Sequence, residues 1–230
     1  MHHLLDNMIW QAITTGNQDI ALVEGEVGSY HKDIAPFAAM RELTPASLEQ
    51  LHRFLPENRS VAISYFERPV FDETKWRPLQ QMDCCQMVYE YPVPSFVLPQ
   101  SEKIVPLTEE HIPAMLELTA LTKPGPFLER TIAFGNYFGI FDGGRLAAMT
   151  GQRMHPVPYM EVSAVCTHPD HRGKGYAKAL MLHVMKIILD HSFTPFLHVL
   201  SANTGAIHLY ESIGFRVRKK IFIEVIRRLP

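Results

Sequence analysis

Cysteine is scarce: Cys84, Cys85 and Cys166 are the three in 230 residues, an odd set with no metal-ligand spacing. That sets aside a disulfide framework and favours a reducing compartment. Long hydrophobic runs are missing too, since no stretch approaches the roughly 18 consecutive apolar residues of a membrane-spanning helix. The start, Met1-His2-His3-Leu4-Leu5, lacks the basic region and long apolar run of a secretory signal, so a cytoplasmic location is expected. Neither sign of charge dominates. A formal charge of −2 gives no reason to expect a polyanionic partner. The one basic cluster, Arg216, Arg218, Lys219 and Lys220, reads as a solvated strand edge rather than a nucleic-acid footprint. His2 and His3 are followed by no further ligands at useful spacing, so no metal is expected. Internal repeats and low-complexity segments are absent.

What remains is a globular composition, 47% hydrophobic and 20% charged, in a chain long enough for one large domain or two small ones. Tyr91 to Pro99 carries three prolines in nine residues. Proline supplies no backbone donor and biases its predecessor toward extended structure, so this reads as a connector. It places a boundary near residue 100, between an N-terminal α/β region (1–100) and a second region (101–230). In the first region Leu4 to Thr14 predicts a short helix. Thr44-Pro45 opens another, with Leu48, Leu51 and Leu55 on one side. Ser60 to Phe66 and Met82 to Tyr89 read as strands, and the paired cysteines as buried structural residues.

The second region is more legible. Lys103 to Leu107 predicts a strand, and Thr108 caps a helix reaching Leu121, with Pro113 just inside its start. Thr122 to Phe127 is a rigid loop. Tyr137–Phe141 and Arg145–Arg153 form a hairpin across Asp142-Gly143-Gly144. Tyr159 to Thr167 is a strand, and Gly173 to His191 a long helix with Ala177, Leu180, Met181, Val184 and Ile188 on one stripe. Pro195 to Leu200 is a buried strand. Asn203 caps a helix ended by Gly214, and Phe215 to Arg227 supplies the last strand or hairpin. The order predicts a mixed α/β sheet with helices on both faces.

The segment Val165-Cys166-Thr167-His168-Pro169-Asp170-His171-Arg172-Gly173-Lys174-Gly175-Tyr176-Ala177 carries the chemistry. A strand ends, and glycines lead directly into a helix. The first helical N–H groups have no internal partners and lie at the positive end of the helix dipole, so a pyrophosphate can satisfy them. Gly173 and Gly175 permit close backbone approach, Ala177 keeps the next position small, and Arg172 and Lys174 add charge. The spacing fits neither the P-loop nor the dinucleotide fingerprint.

Arg172-x-x-Gly175-x-Ala177 after a strand resembles the Arg/Gln-x-x-Gly-x-Gly/Ala signature of the GNAT superfamily of N-acetyltransferases. Pro195-Phe196-Leu197-His198-Val199, Asn203 and Ala206-Ile207-His208-Leu209-Tyr210-Glu211-Ser212-Ile213-Gly214-Phe215 resemble that family's second block. The likeness covers about residues 102–230. It implies a mixed, mostly antiparallel central sheet with helices on both faces, binding acetyl-CoA or another short acyl-CoA as co-substrate. It places Val165, Cys166 and Thr167 along the pantetheine, Arg172, Gly173, Lys174, Gly175, Tyr176 and Ala177 at the pyrophosphate, Asn203 near the pantetheine, Tyr210 near the sulfur, and Ala206 also against the cofactor. The strands Tyr159–Thr167 and Pro195–Leu200 are expected to splay apart. The first hundred residues fit a degenerate acyltransferase-like half.

The implied reaction is attack of a primary amine on a thioester. A backbone N–H near Val165 would stabilise the oxyanion, and Tyr210 would return a proton to the thiolate. Glu161 is the expected base, with His168, His155 and His198 as rivals. Lys123 and Phe127, on the loop over the strands, are expected to meet the acceptor. The acceptor itself is not specified: an amino acid, polyamine, antibiotic or protein terminus all fit, in a monomer or homodimer. Two other readings stay open: a non-catalytic acyl-CoA-binding regulatory module that uses the same turn, and a structural partner whose N-terminal half docks another protein.

Overall fold

The computed structural model describes residues 3–90 and 103–230. The proline-rich connector and the boundary near residue 100 lie outside them.

The chain opens with a 3-10 turn, Leu4–Asn7, running into α1 (Met8–Thr14). Next come three short strands, β1 (Ala21–Glu24), β2 (Val27–Tyr30) and β3 (Ala38–Met40), which form a small antiparallel sheet of their own. Helix α2 (Pro45–Phe54) begins where Thr44 accepts the Ser47 N–H and proline takes the first turn. Strands β4 (Ser60–Tyr65) and β5 (Trp76–Tyr89) follow.

Beyond the undescribed segment are β6 (Ile104–Leu107), a 3-10 turn over Glu109–His111 and α3 (Ile112–Thr122). Pro113 delays the α-helix to Ile112, because its ring is tolerated only in the first turn. Then come β7 (Tyr137–Asp142), β8 (Arg145–Gln152), β9 (Tyr159–Thr167), α4 (Tyr176–Asp190), β10 (Thr194–Leu200), α5 (Thr204–Ser212) and β11 (Phe215–Arg228).

Eight strands make one sheet in the order β4-β11-β5-β10-β9-β8-β7-β6. All neighbours are antiparallel except β9 and β10. The sheet is therefore mixed, mostly antiparallel and covered by helices. On one face α4 and α5 lie over Met160, Val162, Leu197, Val199 and Phe215. The stripe on α4 that does this, Met181, Val184, Met185 and Ile188, is fully buried. Each such side chain contributes roughly 1.5–3 kcal/mol on removal from water. The other face packs Cys84, Phe196, Ile221 and Ile223 against α1 and the Tyr30–Phe37 segment. Successive residues of one strand, such as Cys84 and Cys85 or Phe196 and Leu197, thus enter different cores, as the strand period of two requires.

Strands from both sides of the undescribed segment share this sheet. Val88 of β5 faces Phe196 on one side and Arg216 on the other. β5 is thereby the central partner of both β10 and β11. A fragment beginning at residue 103 leaves those two strands without the one that lies between them. We expect it to lack cooperative urea unfolding and near-ultraviolet dichroism, both of which the full chain should show. A cooperatively folding fragment would contradict this placement of β5.

Candidate active site

The ladder between β9 and β10 is short. It holds at Thr194–Tyr159, Pro195–Met160 and Phe196–Glu161, and no further pairing follows along the two strands. From that crotch the strands diverge. On the outer side of β9 the register with β8 slips between Met149–Cys166 and Gly151–Ser163, so Ala164 and Val165 oppose Thr150 alone. This is a β-bulge, with Ala164 in the left-handed region at φ 53°. A bulge bends and twists the strand that carries it, and here it carries β9 away from β10.

A cavity of about 1240 Å³ passes through the gap and takes side chains from both faces of the sheet. Tyr176, Ala177, Ala206, Leu209 and Tyr210 reach it from the face of α4 and α5. Phe37, Met82, Cys84 and Ile223 reach it from the opposite face.

The glycine turn forms one mouth. Gly173 and Gly175 have φ of 77° and 79°, a region that side chains rarely adopt, and this delays the helix predicted from Gly173 until Tyr176. Gly175 is the N-cap of α4 and supplies no side-chain hydrogen bond, leaving the first amides to an external acceptor. A Cβ built on Gly173 meets nothing within 4 Å. Further in, Thr167 Oγ1 is buried without a protein hydrogen-bond partner. An open helix start followed by an orphaned hydroxyl suits a long ligand with a phosphate at one end and polar groups along its length.

Most of the expected cofactor residues line this cavity: Val165, Cys166, Thr167, Arg172, Gly173, Gly175, Tyr176, Ala177, Asn203, Ala206 and Tyr210. Asn203 also caps α5, accepting the Ala206 N–H at 3.2 Å. Lys174 does not line it. Its ammonium is drawn instead to Asp142 at 2.8 Å, at the end of β7, which also accepts from Tyr176 at 2.9 Å. The Lys174 and Tyr176 bonds hold the Asp142 carboxyl down at about 2. Lys123 lines the cavity at the left-handed end of α3, φ 50°. Phe127 misses it and packs edge-on against Tyr137, beside a smaller recess.

Tyr210 is 8% exposed, and burial, assisted by nearby Cys166, pushes its hydroxyl up to about 12. It therefore keeps its proton across the physiological range.

Glu161 is placed differently from the sequence-based expectation. It is fully buried at the crotch and does not line the cavity. Its Oε1 accepts from Arg153 Nη2 and His198 Nδ1, both at 2.7 Å, and its Oε2 from Arg153 Nε at 2.7 Å and the Met154 N–H at 3.3 Å. Burial alone would raise its pKa, but the Arg153 charge and these hydrogen bonds outweigh it and hold the carboxyl well below the usual range. Four donors leave it no lone pair for a substrate proton. Of the rival bases, His198 lines the cavity. Its Nδ1–H serves Glu161, and its Nε2 accepts from Gln86 at 3.0 Å, an amide oriented by Arg218 on its oxygen. His155 packs on Phe193, and His168 faces Asp170.

The match to known proteins follows this geometry. The family described as FR47-like protein matches residues 137–223. A GNAT-family chain from Novosphingobium aromaticivorans is 31% identical, covers 100% of each chain and superimposes with a TM-score of 0.90. This chain belongs to the GNAT family. The GNAT fold extends to a GCN5-related N-acetyltransferase from Kribbella flavida, 15% identical over 98% of this chain and 96% of that one, TM-score 0.62. Spermidine N(1)-acetyltransferase of Vibrio cholerae serotype O1 is 43% identical over 53 residues, which span 20% of this chain and 28% of that enzyme.

Two features of this GNAT chain escaped the sequence reading. Arg153 lines the cavity with its guanidinium 5.1 Å from the Phe37 ring centroid, and residues before 90 build one wall. A lone arginine ending an apolar strand was the available signal for the first.

Removing the Glu161 charge leaves Arg153 buried and unmatched. Glu161→Gln should cost about 3–5 kcal/mol in urea unfolding. The sign with pH follows from the lowered pKa. The stabilisation is present above the unfolded carboxylate range, near about pH 4.3, and is lost as pH falls through the folded value. Wild-type stability should drop on acidification more steeply than that of the variant.

Proposed function

We propose that this chain transfers an acetyl group, or another short acyl group, from acyl-CoA to a primary amine by direct attack on the thioester. The observation that supports this most is the cavity through the parted strands, with an uncapped helix start on one side and a protonated tyrosine within it. The backbone of Arg172–Ala177 would hold the pyrophosphate. Val165, Cys166 and Thr167 would lie along the pantetheine, with Asn203 and Ala206 opposite. Acetyl-CoA supplies an activated carbonyl and a thiol leaving group.

The protein's part is positioning and proton handling. Tyr210 holds a proton at its hydroxyl and gives it to the departing sulfur as the C–S bond breaks, then regains one from solvent. The Val165 amide, beside the bulge, would face the oxygen on which negative charge grows. The amine enters neutral, and the proton its nitrogen sheds as the N–C bond forms passes to solvent, balancing the one that Tyr210 regains. Glu161 is committed to Arg153 and His198, so deprotonation falls to desolvation: a poorly hydrated wall disfavours an ammonium and admits the neutral amine. Glu161 acts as a positioning residue that keeps the gap open.

In Tyr210→Phe, kcat should fall by roughly 10²–10⁴ while acetyl-CoA affinity by calorimetry stays within twofold. Wild-type protein that binds acetyl-CoA but acetylates nothing across a broad amine panel would be a binding module instead. Gly175→Glu places a side chain at φ 79° and a carboxylate beside the phosphate position. It should abolish the rise in Tm with acetyl-CoA, a rise equivalent to about 2.7 kcal/mol in wild type at a hundredfold excess over Kd. In the pH profile of kcat, tyrosine ionisation should cause no fall below about pH 10, because a raised pKa keeps that group neutral until higher pH.

A further inference from the structure

The far half of the cavity carries information about the acceptor, on the reading that an amine is acylated here. Its wall on the face away from α4 and α5 is formed by Phe37, Ala62, Met82, Cys84, Ile223 and Val225. All six are apolar or neutral, and most come from the first ninety residues. Cys84 is no exception, because burial pushes its thiol up to about 11. Phe37 carries the Arg153 guanidinium against its ring, so the wall ends on a stacked cation rather than on an acid.

Charge tells the same story. No aspartate or glutamate lines the cavity among the described residues, whereas Lys123 and Arg153 do. Glu161, whose partners Arg153 and His198 line the cavity, is itself fully buried and already accepts four hydrogen bonds. A polyamine brings two or three ammonium groups and needs a carboxylate for each one it desolvates. Here it would meet cations and hydrocarbon. An amine with one nitrogen and an apolar body loses little on entering, because that nitrogen arrives neutral and the body is removed from water.

We propose that the acceptor is an apolar primary amine, an aliphatic or aromatic body with the reacting amino group as its only basic centre. Its body packs against the wall that the N-terminal residues and β11 supply. This gives the first ninety residues a role: they select the acceptor while the second region handles the acyl donor.

Phenethylamine, hexylamine and spermidine separate the possibilities. With saturating acetyl-CoA, wild-type kcat/KM should be at least tenfold higher for the first two than for spermidine. In the dead-end complex with free CoA, calorimetry should rank their affinities in the same order. Gln80→Glu adds a carboxylate to the exposed rim of the same wall with almost no change in shape. It should shift the ratio toward spermidine by five- to tenfold. Met82→Glu, deeper in the wall, should shift it further, and a retained rise in Tm with acetyl-CoA shows that each variant is folded. A wild-type preference for spermidine overturns the proposal, as does turnover confined to peptide amines or a ratio unmoved by Gln80→Glu. If acetyl-CoA binds but no amine releases CoA, the acyl-transfer reading fails, and the calorimetric ranking still decides the apolar-amine inference.

Discussion

The Glu161–Arg153–His198 cluster is what the site depends on. A buried carboxylate is costly, and its cost is offset only when strong, well-directed donors surround it. Here a bidentate guanidinium, an imidazole and a backbone amide do so. The location matters as much as the energy. Glu161 forms the last ladder pair of β9, with Phe196, and His198 lies two residues further along β10, where pairing has ended. The hydrogen bond between them bridges the first unpaired step of the gap. From His198 the chain of donors continues through Gln86 and Arg218 to Asp6, tying the crotch to the first turn of the protein. Two strands with unpaired edges would otherwise be free to close and complete their ladder.

Around that fixed point each feature has a simple cause. The bulge at Ala164 turns β9 outward, and the glycines before α4 delay the helix so that its free amides face the opening. Burial keeps Tyr210 protonated inside it. The opposite wall is built of apolar residues and a neutral thiol, so one cavity joins an open helix start to an apolar end. The sheet lies between them, and the two ends join where the ladder is interrupted.

Local features of the second region were legible because they rest on local chemistry. Gly173 and Gly175, the Asn203 cap and the apolar stripe of α4 each announce themselves within a few residues. The splay followed from the family resemblance. What escaped was non-local. Glu161 looks like an available strand carboxylate until β8 delivers Arg153 and β10 delivers His198. Lys174 reads as a phosphate ligand until the β7–β8 hairpin brings Asp142 beside it. Phe127 is on the expected loop, but its ring finds Tyr137 first. The three-stranded sheet of residues 21–40 has strands of three or four residues, too short for alternation to stand out. Nothing in Phe37, Ala62 or Met82 alone marks a cavity wall, since apolar residues at strand spacing ordinarily mean core.

The position of β5 also constrains when the protein acquires its shape. This strand is made well before both of its neighbours, β10 and β11, which follow roughly a hundred residues later. Until then its hydrogen-bonding edges and buried face have no native cover, and closing so long a loop is entropically slow. A nascent chain in this condition invites non-native strand pairing or capture by a chaperone. Completion of the sheet, and with it the apolar wall of the cavity, waits until β11 has been made.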